Sequence, residues 1–388
     1  MIFKSTTTPL VLRNRLSATI IVGAVVAIAL LTVVAGISSH VDPRLAPLAG
    51  CINLAYPLLL ITNVVTTIIV AFVSRKLACV GLSALLLTFS SALDYCPLNF
   101  GKSAVNEITT ATSNDTFTLM SFNTANLFPY KSKFEPDEIN PTIEYIIQQA
   151  PDIAVLQEVR VLKKSKYMHI TEEQAERLNT LYPYILSGVK DDCILAVLSK
   201  FPLEAIENHI YNDRTGQTQI VEVTLPGDRK MTIVNLHLQS LGLTNDDKEL
   251  YTDVIKANVD QNELTKLRGS LYNKLADAFI KRAYQADGIR QKILTDNRIQ
   301  QNLIVTGDFN DTQNCWALRH ICDDTDLKSV YRDIGFGPLI TYYANHFYFR
   351  IDHTLYRGEL TPLSYICDQN FKKSDHYPTF ITFKINPK

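Results

Sequence analysis

Leu303-Ile-Val-Thr-Gly-Asp-Phe-Asn310 runs from apolar and β-branched residues straight into Gly, Asp and Asn. The first half has the composition of a buried strand. The second half puts a carboxylate and a carboxamide where that strand ends. Alone, Gly-Asp-Phe-Asn is equally a turn, because Gly, Asp and Asn all favour turns. The juxtaposition recurs, however. Ile153–Leu156 leads to Gln157-Glu158, Thr232-Ile-Val234 to Asn235-Leu236-His237, and Arg350-Ile351 to Asp352. Lys373-Ser374 leads to Asp375-His376 just before a last apolar run, and the first run contains Ser121-Phe122-Asn123. Taken singly, Glu158 reads as a solvated loop carboxylate, His237 as a satisfied core histidine and Asp375-His376 as a cap or loop. As an ordered set beside strands, they are groups that a sheet can gather at one edge.

Outward from these runs the pattern is α/β. Phe117–Phe122, Ile153–Leu156, Ile194–Leu198, Ile220–Leu225, Met231–Leu238, Leu303–Thr306 and Phe380–Ile385 read as strands. Ile143, Ile146 and Ile147 have helical spacing. So do Leu264, Leu267, Leu271, Leu275, Phe279, Ala283, Ala286, Ile289 and Ile293, a long stripe with expected breaks near Gly269 or Gly288. Strands outnumber helices, which predicts a mixed sheet or sheet sandwich flanked by helices.

The whole chain, 388 residues with net charge -1, averages two unlike parts. Its 46% hydrophobic content excludes disorder, and its 15 Gly and 16 Pro exclude collagen-like and low-complexity classes. Seven Cys are too few for a disulfide scaffold; free buried thiols are the default for Cys193, Cys315, Cys322 and Cys367. The amino-terminal part holds three runs without Lys, Arg, Asp or Glu: Leu16–Ser39, Leu45–Ser74 and Leu77–Leu93. A spanning helix needs about 20 residues, with about 17 as a minimum, so the first two qualify and the third is marginal. The first run exceeds the roughly 7–15 residues of a signal peptide's apolar region. Pro57 and Asn63 in the second run require neighbouring helices to satisfy what they leave open. Lys4, Arg13 and Arg15 precede the first run, and Arg75 and Lys76 separate the second from the third. Positive loops stay cytoplasmic. The expectation is a multi-pass inner-membrane segment (1–96) with three transmembrane helices at about 16–39, 48–73 and 77–95. A Ser/Thr/Asn-rich tether (97–116) then leads to an extracytoplasmic catalytic domain (117–388) with an insertion at about 241–276.

The series Ser-Phe-Asn123, Leu-Gln-Glu158, Asn-Leu-His237, Gly-Asp308-Phe-Asn310, Arg-Ile-Asp352 and Ser-Asp375-His376 resembles the endonuclease/exonuclease/phosphatase superfamily, which includes deoxyribonuclease I, abasic-site endonucleases, sphingomyelinases and inositol-phosphate phosphatases. The pairing of Gly-Asp-x-Asn with a late Ser-Asp-His is specific, and the match runs from about Thr116 to Ile385. The resemblance implies a four-layer α/β sandwich of two mixed β-sheets and metal-dependent hydrolysis of a phosphate ester by an activated water. Glu158 is a hard oxygen ligand suited to Mg²⁺ or Mn²⁺, with Asn123 and Asp375 completing the metal site. The resemblance puts Asp308 and Asn310 beside the attacking water and the phosphoryl oxygens. It makes His376 the catalytic histidine, oriented by Asp352, and His237 a donor to a phosphoryl oxygen; His237 has no neighbouring carboxylate in the sequence. Either Asp308 or His376 is placed to take the water's proton. Ala125 stands where abasic endonucleases carry an acid, which argues against that branch.

The substrate stays open. From residue 110 onward the chain has 31 basic and 36 acidic residues, net -5, unlike a nucleic-acid groove. Lys163-Lys164-Ser-Lys166 is its one dense basic cluster. A membrane tether favours a lipid head group, and it also fits a nuclease acting on external nucleic acid. A non-catalytic interaction module would need a broken site. His40, His169, His209, His320, His346 and His353 are read as structural or surface residues.

Overall fold

The structure, a computed structural model, describes residues 15–101, 115–127, 139–159, 170–187, 194–211, 216–242, 261–344 and 347–387. Outside them lie Lys4, Arg13, most of the expected tether, Lys163, Lys164, Lys166, His169, Cys193, residues 243–260 of the expected insertion, and His346. The chain divides into two compact units: Met1–Tyr95 with Asn314–Trp316, and Cys96–Gln313 with Ala317–Lys388.

The first unit is helical: α1 (Arg15–Ile37), α2 (Pro47–Leu54), α3 (Tyr56–Ala71), α4 (Arg75–Leu87) and α5 (Phe89–Tyr95). One stretch, Leu16–His40, is long and apolar enough to cross a membrane. The pairs α2–α3, bent by 48°, and α4–α5, bent by 69°, reach that length only if each pair is one span. Pro57, expected within the second span, explains the first bend. It stands in the first turn of α3, has no N–H to give, and its ring excludes a helical carbonyl behind it. Polar groups in these apolar helices find partners across helices. Asn63 Nδ2 donates to the Gly81 carbonyl (3.1 Å), Asn53 Nδ2 to that of Ala35 (3.3 Å), and Tyr56 Oη to that of Thr88 (3.1 Å). Close approach needs glycine: a Cβ on Gly81 would lie 1.9 Å from Thr67 Oγ1.

The second unit carries two six-stranded sheets. The first is built from β1 (Thr116–Asn123), β2 (Ile153–Gln157), β3 (Tyr184–Ser187), β4 (Ala196–Ser199), β11 (Leu360–Cys367) and β12 (Thr379–Ile385), in the order β11-β12-β1-β2-β4-β3. The second contains β5 (Leu203–Ile210), β6 (Gln217–Leu225), β7 (Arg229–His237), β8 (Leu303–Asp308), β9 (Lys328–Ser329) and β10 (Asp352–Arg357), in the order β5-β6-β7-β8-β10-β9. Each sheet is mixed, with one parallel pair at its centre: β1 with β2, and β7 with β8. Strand alternation separates two apolar layers. Phe117, Leu119, Ile153 and Val155 join Val221, Ile233 and Ile304 of the other sheet in the core between the sheets. Met120, Phe122, Ala154 and Leu156 face the other way, onto Ile143 and Ile146 of α6 (Pro141–Gln149) and Leu178 of α7 (Glu172–Leu181). This is the expected α/β sandwich of two mixed sheets flanked by helices.

Three sequence expectations change. All seven expected strands form, but β3, β5, β9 and β11 gave no apolar run, and β10 was announced only by Arg350-Ile351. β5 and β11 are edge strands without clean alternation: apolar Ala205 and Leu363 are exposed, and Pro362, unable to donate, is buried. The long stripe forms one unbroken helix, α8 (Gln261–Thr295), through both Gly269 and Gly288. A helical Gly costs about 1 kcal/mol, which the packing of buried Ala278, Phe279, Ala283, Ala286, Ile289 and Ile293 outweighs. The expected insertion end at 276 therefore falls inside a helix rather than at an element boundary.

Gly307 is where the second sheet is least tolerant. Its φ is +140°, and a Cβ there would lie 2.0 Å from the Leu236 carbonyl oxygen of the neighbouring strand. Gly307→Ala in the full-length chain should cost on the order of 3 kcal/mol, combining backbone strain with that clash. A thermal melt within about 1 °C of wild type, where a drop of roughly 6–12 °C is expected, would show that the strand can move aside.

Candidate active site

Register alone brings most of the site together. β7 and β8 run parallel with His237 beside Asp308, and β10 runs antiparallel with Asp352 beside the same Asp308. Residues side by side on neighbouring strands face the same way. One rung of the second sheet thus presents imidazole, carboxylate and carboxylate. In the first sheet Asn123 pairs with Gln157, and Glu158 follows at the strand end with φ 53°. Asn123 joins the sheets: its Nδ2 donates to Asp308 Oδ2 at 2.9 Å and to Glu158 Oε1 at 3.1 Å. One step deeper, Gln157 Nε2 donates to Asn235 Oδ1 at 2.9 Å, and Asn235 Nδ2 donates to the carbonyls of Leu156 (3.0 Å) and Ala196 (3.2 Å).

The loops add the remaining groups. Ser374 Oγ donates to the Asn123 carbonyl (2.8 Å) and accepts from His376 N–H (3.1 Å), fastening the Ser-Asp-His segment to the end of β1. His376 Nδ1 is 2.8 Å from Asp352 Oδ2, and its Nε2 is 3.6 Å from Asp308 Oδ2. Thr341 Oγ1 accepts from the N–H groups of Ile351 (3.1 Å) and Asp352 (3.2 Å). Asn310, with φ 52°, gives its backbone N–H to Asp308 Oδ1 (2.7 Å) and its Nδ2 to the Leu238 carbonyl (2.9 Å). That Nδ2 lies 3.5 Å from His237 Nε2. Asp375 lines the same cleft but stands outside both carboxylate–histidine clusters described below.

One expectation is corrected. His237, without a carboxylate nearby in sequence, has two in space: its Nε2 is 3.4 Å from Glu158 Oε1 and 3.7 Å from Asp308 Oδ2. The other described histidines stay apart from this cluster. His353 points away from Asp352, with Nε2 2.9 Å from the Asp311 carbonyl. His320 pairs with Asp287, and His209 packs edge-on to Tyr211. Cys315 is buried, and Cys322 and Cys367 are half-buried.

Burial and charge set opposing protonation states. Burial disfavours a charged His376, but Asp352 and Asp308 outweigh it and raise its pKa to about 10. The same opposition leaves His237 raised, through Glu158 and Asp308. Burial, reinforced by the charge of Asp352, pushes Asp308 up against the pull of the two histidines. Burial would also raise Glu158, yet the hydrogen bond and charge of His237, with Asn123, hold it at about 2. By contrast, burial and the charge of Arg350 bring His353 down to about 3, so it is neutral.

Two groups of ligand atoms lie within 4.8 Å of one another: Glu158, His237 and Asp308, and Asp308, Asp352 and His376. Carboxylates with imidazole suit a divalent cation. Buried Asp352 Oδ1 and His237 Nδ1 have no hydrogen-bond partner, so the donor set is not exhausted by the protein's own contacts. The cluster floors a cleft of about 230 Å³, whose walls include Tyr342, Phe347, Phe349 and Ile351. Tyr342 stands edge-on to His376, with ring centroids 4.9 Å apart. Sequence reasoning missed this aromatic wall, Thr341 and buried Arg282. Arg282, on α8, donates from Nε to Asp311 Oδ2 (3.1 Å) and from Nη1 to the Gln239 carbonyl (2.8 Å), which pins the loops after Asn310 and His237. No local motif signals it; only its place within an apolar helical stripe is unusual for an arginine.

Carboxylates and histidines gathered at the common edge of two mixed sheets define a metal-dependent hydrolase acting on phosphate esters. The chain belongs to the endonuclease/exonuclease/phosphatase family, whose model matches residues 120–376, more than half of its length. A second model, described as a domain of unknown function, matches residues 18–95. No curated protein matches. Similar solved structures include an endonuclease/exonuclease/phosphatase from Beutenbergia cavernae, 14% identical, covering 70% of this chain and 72% of that one, TM-score 0.46. The human Nocturnin catalytic domain is 16% identical over 70% and 95% of the two chains, TM-score 0.44. A mannosyl-6-phosphatase from Bacteroides thetaiotaomicron is 12% identical over 69% and 99%, TM-score 0.38.

The His376–Asp352 pair has a pH signature. A histidine raised from about 6.5 to about 10 on folding contributes stability that is complete below about pH 6.5 and is lost as pH rises through about 10. In EDTA, urea unfolding of the full-length chain should therefore lose on the order of 4 kcal/mol between pH 6 and pH 9.5 through this group. Asp352→Asn should flatten that slope. An equal slope in the variant would mean that Asp352 does not hold the proton on His376.

Proposed function

We propose that the second unit hydrolyses a phosphate ester at or near a bilayer, with Mg²⁺ or Mn²⁺ as cofactor, while the first unit embeds in the membrane. The observation that carries the catalytic reading is the position of Asp308, within 4 Å of Asn123, His237 and His376 at once. In this reading Glu158 is the principal cation ligand, with Asp308 beside it, Asp375 at the cleft wall and Asn123 steadying both carboxylates. The bound cation supplies charge neutralisation at the phosphoryl oxygens.

The chain's own residues do the rest. Asp308 accepts the proton of the attacking water: it is a buried carboxylate with a raised pKa, and Asn310 N–H fixes its other oxygen. His376 is held protonated by Asp352 and presents Nε2–H to charge that develops on the phosphoryl group or leaving oxygen. His237 and Asn310 Nδ2 are further donors, one from the end of β7 and one from the loop after β8. Asp352 is a positioning residue that acts through His376.

For the substrate, a net -5 domain offers no basic groove, and the cleft is walled on one side by Tyr342, Phe347 and Phe349. Both features favour a leaving group with apolar or flat surface, such as a lipid head group, over a polynucleotide; nuclease activity is the alternative. The test is hydrolysis of a chromogenic phosphodiester by the full-length chain with Mg²⁺, Mn²⁺ or EDTA, followed by phospholipid, sphingomyelin and DNA. No turnover of any of them with either metal would sink the catalytic reading.

Glu158→Gln should reduce kcat/KM by at least about 100-fold, since one anionic ligand of a hard cation is lost while its shape is kept. Calorimetric titration with Mg²⁺ or Mn²⁺ should show weaker binding. Unchanged metal affinity would remove Glu158 from the cation site.

The membrane reading takes each bent helix pair as one span; basic residues before the first span and between the second and third then favour a catalytic unit outside the cytoplasm. Alkaline phosphatase fused after Gly101 should be active. An inactive fusion, with a cytoplasmic reporter active at the same point, would overturn that topology.

A further inference from the structure

The first residues of the catalytic unit, directly after Tyr95, carry an exposed apolar cluster. Leu98 is 50% exposed, Phe100 77% and Phe336 51%. Single exposed apolar residues are ordinary, but three large ones side by side are not. The two phenylalanine rings lie 5.0 Å apart, and Leu98 forms an antiparallel bridge with Phe336.

The backbone beneath them is firmly held. Asn99 Nδ2 donates to the carbonyls of Arg332 (2.8 Å) and Gly335 (2.9 Å). Gly337 N–H donates to the Pro97 carbonyl (2.9 Å). Tyr331, part of the core between the sheets, donates its hydroxyl to the carbonyls of Phe336 (3.2 Å) and Gly337 (3.1 Å). Residues 97–100, counted with the tether in the sequence reading, are thus fastened to the folded unit. Their side chains are held outward by a built support rather than left outside by a loose chain.

We propose that Leu98, Phe100 and Phe336 form a lipid-facing seat that embeds in the interfacial layer of the bilayer and fixes the catalytic unit against the membrane surface. Chain connectivity names the occupant. Five residues span at most about 18 Å, so Phe100 cannot lie farther than that from the end of α5, the second half of an apolar helix pair. A rigid apolar cluster so close to the end of a membrane helix meets head groups and upper acyl chains, where partial burial of such side chains is favourable. The seat rests on the membrane reading of the first unit. It goes beyond it by assigning lipid contact to the catalytic unit itself.

The experiment uses the full-length chain in phosphatidylcholine/phosphatidylglycerol vesicles, made with ordinary lipid or with lipid brominated high on the acyl chain. Phe100→Trp and Phe336→Trp each add one tryptophan, and the wild type supplies the Trp316 baseline. The added emission should be blue-shifted and lose roughly half its intensity in brominated lipid, as for a side chain at the acyl boundary. Tyr184→Trp, on β3 at the opposite edge of the first sheet, should show no such loss. Unquenched emission at 100 and 336, with the chain still resisting alkaline carbonate extraction, overturns the seat and leaves the membrane reading standing. Release by carbonate overturns both. Unquenched, blue-shifted emission with crosslinking between copies assigns the cluster to a second molecule and overturns the seat as well.

Discussion

Three carboxylates, Glu158, Asp308 and Asp352, converge in one corner of the second unit, two of them almost wholly buried. Like charges so placed are tolerable only if cations and directed donors neutralise them. Much of the unit's architecture answers that demand. Two histidines approach from β7 and from the loop before β12, and Asn123 donates to two of the carboxylates at once. Backbone N–H groups of Asn310 and hydroxyl contacts from Thr341 fix the geometry. The cluster also fastens the sheets to each other, because Asn123 belongs to one and Asp308 to the other. Removing one member leaves the others with unbalanced charge, so these residues act as a unit rather than as separate contributions.

This coupling explains what the sequence made legible. A site built where strands end leaves a readable trace: an apolar run, then a polar residue of particular chemistry. Asn123, Glu158, His237, Asp308, Asn310, Asp352 and His376 were all visible that way, and they come together. What was not legible depends on distance along the chain. Nothing near His237 predicts that Glu158, 79 positions earlier, stands beside it. Arg282 looks like a misplaced charge in a helix until Asp311 and the Gln239 carbonyl meet it. The aromatic wall sits in a loop between Thr341 and Arg350 that has no strand pattern to announce its register. Edge strands β5 and β11 escaped for another reason: exposed Ala205 and Leu363 stand on their outward faces, so little apolar alternation marks them.

The first unit shows the same rule of polar satisfaction in an apolar setting. Asn53, Asn63 and Tyr56 each reach a carbonyl on another helix. In hydrocarbon such groups have no water to turn to, so interhelical bonds are their natural partners. Uncharged runs of spanning length, with Pro57 inside one of them, are legible in the sequence, but run length alone carries no angle. The bend before α3 follows from a proline, whereas the sharper one after α4 has no proline within it and is not foreshadowed by composition.

Ala125 bears on how many cations the cluster suits. The acid that abasic endonucleases place there is missing, and the backbone from Ala125 to Leu127 turns through positive φ instead. That turn brings Asn126 Nδ2 to 3.4 Å from Glu158 Oε2, a neutral donor rather than another anion. The two possible ligand groups also share Asp308, and one of them already commits His376 Nδ1 to Asp352. A cation in that group would still find His376 Nε2 and Asp352 Oδ1, because the Nδ1 bond to Asp352 uses neither atom. The described donor set therefore offers two groups for a divalent cation, with Ala125 and Asn126 limiting the anionic ligands beside Glu158.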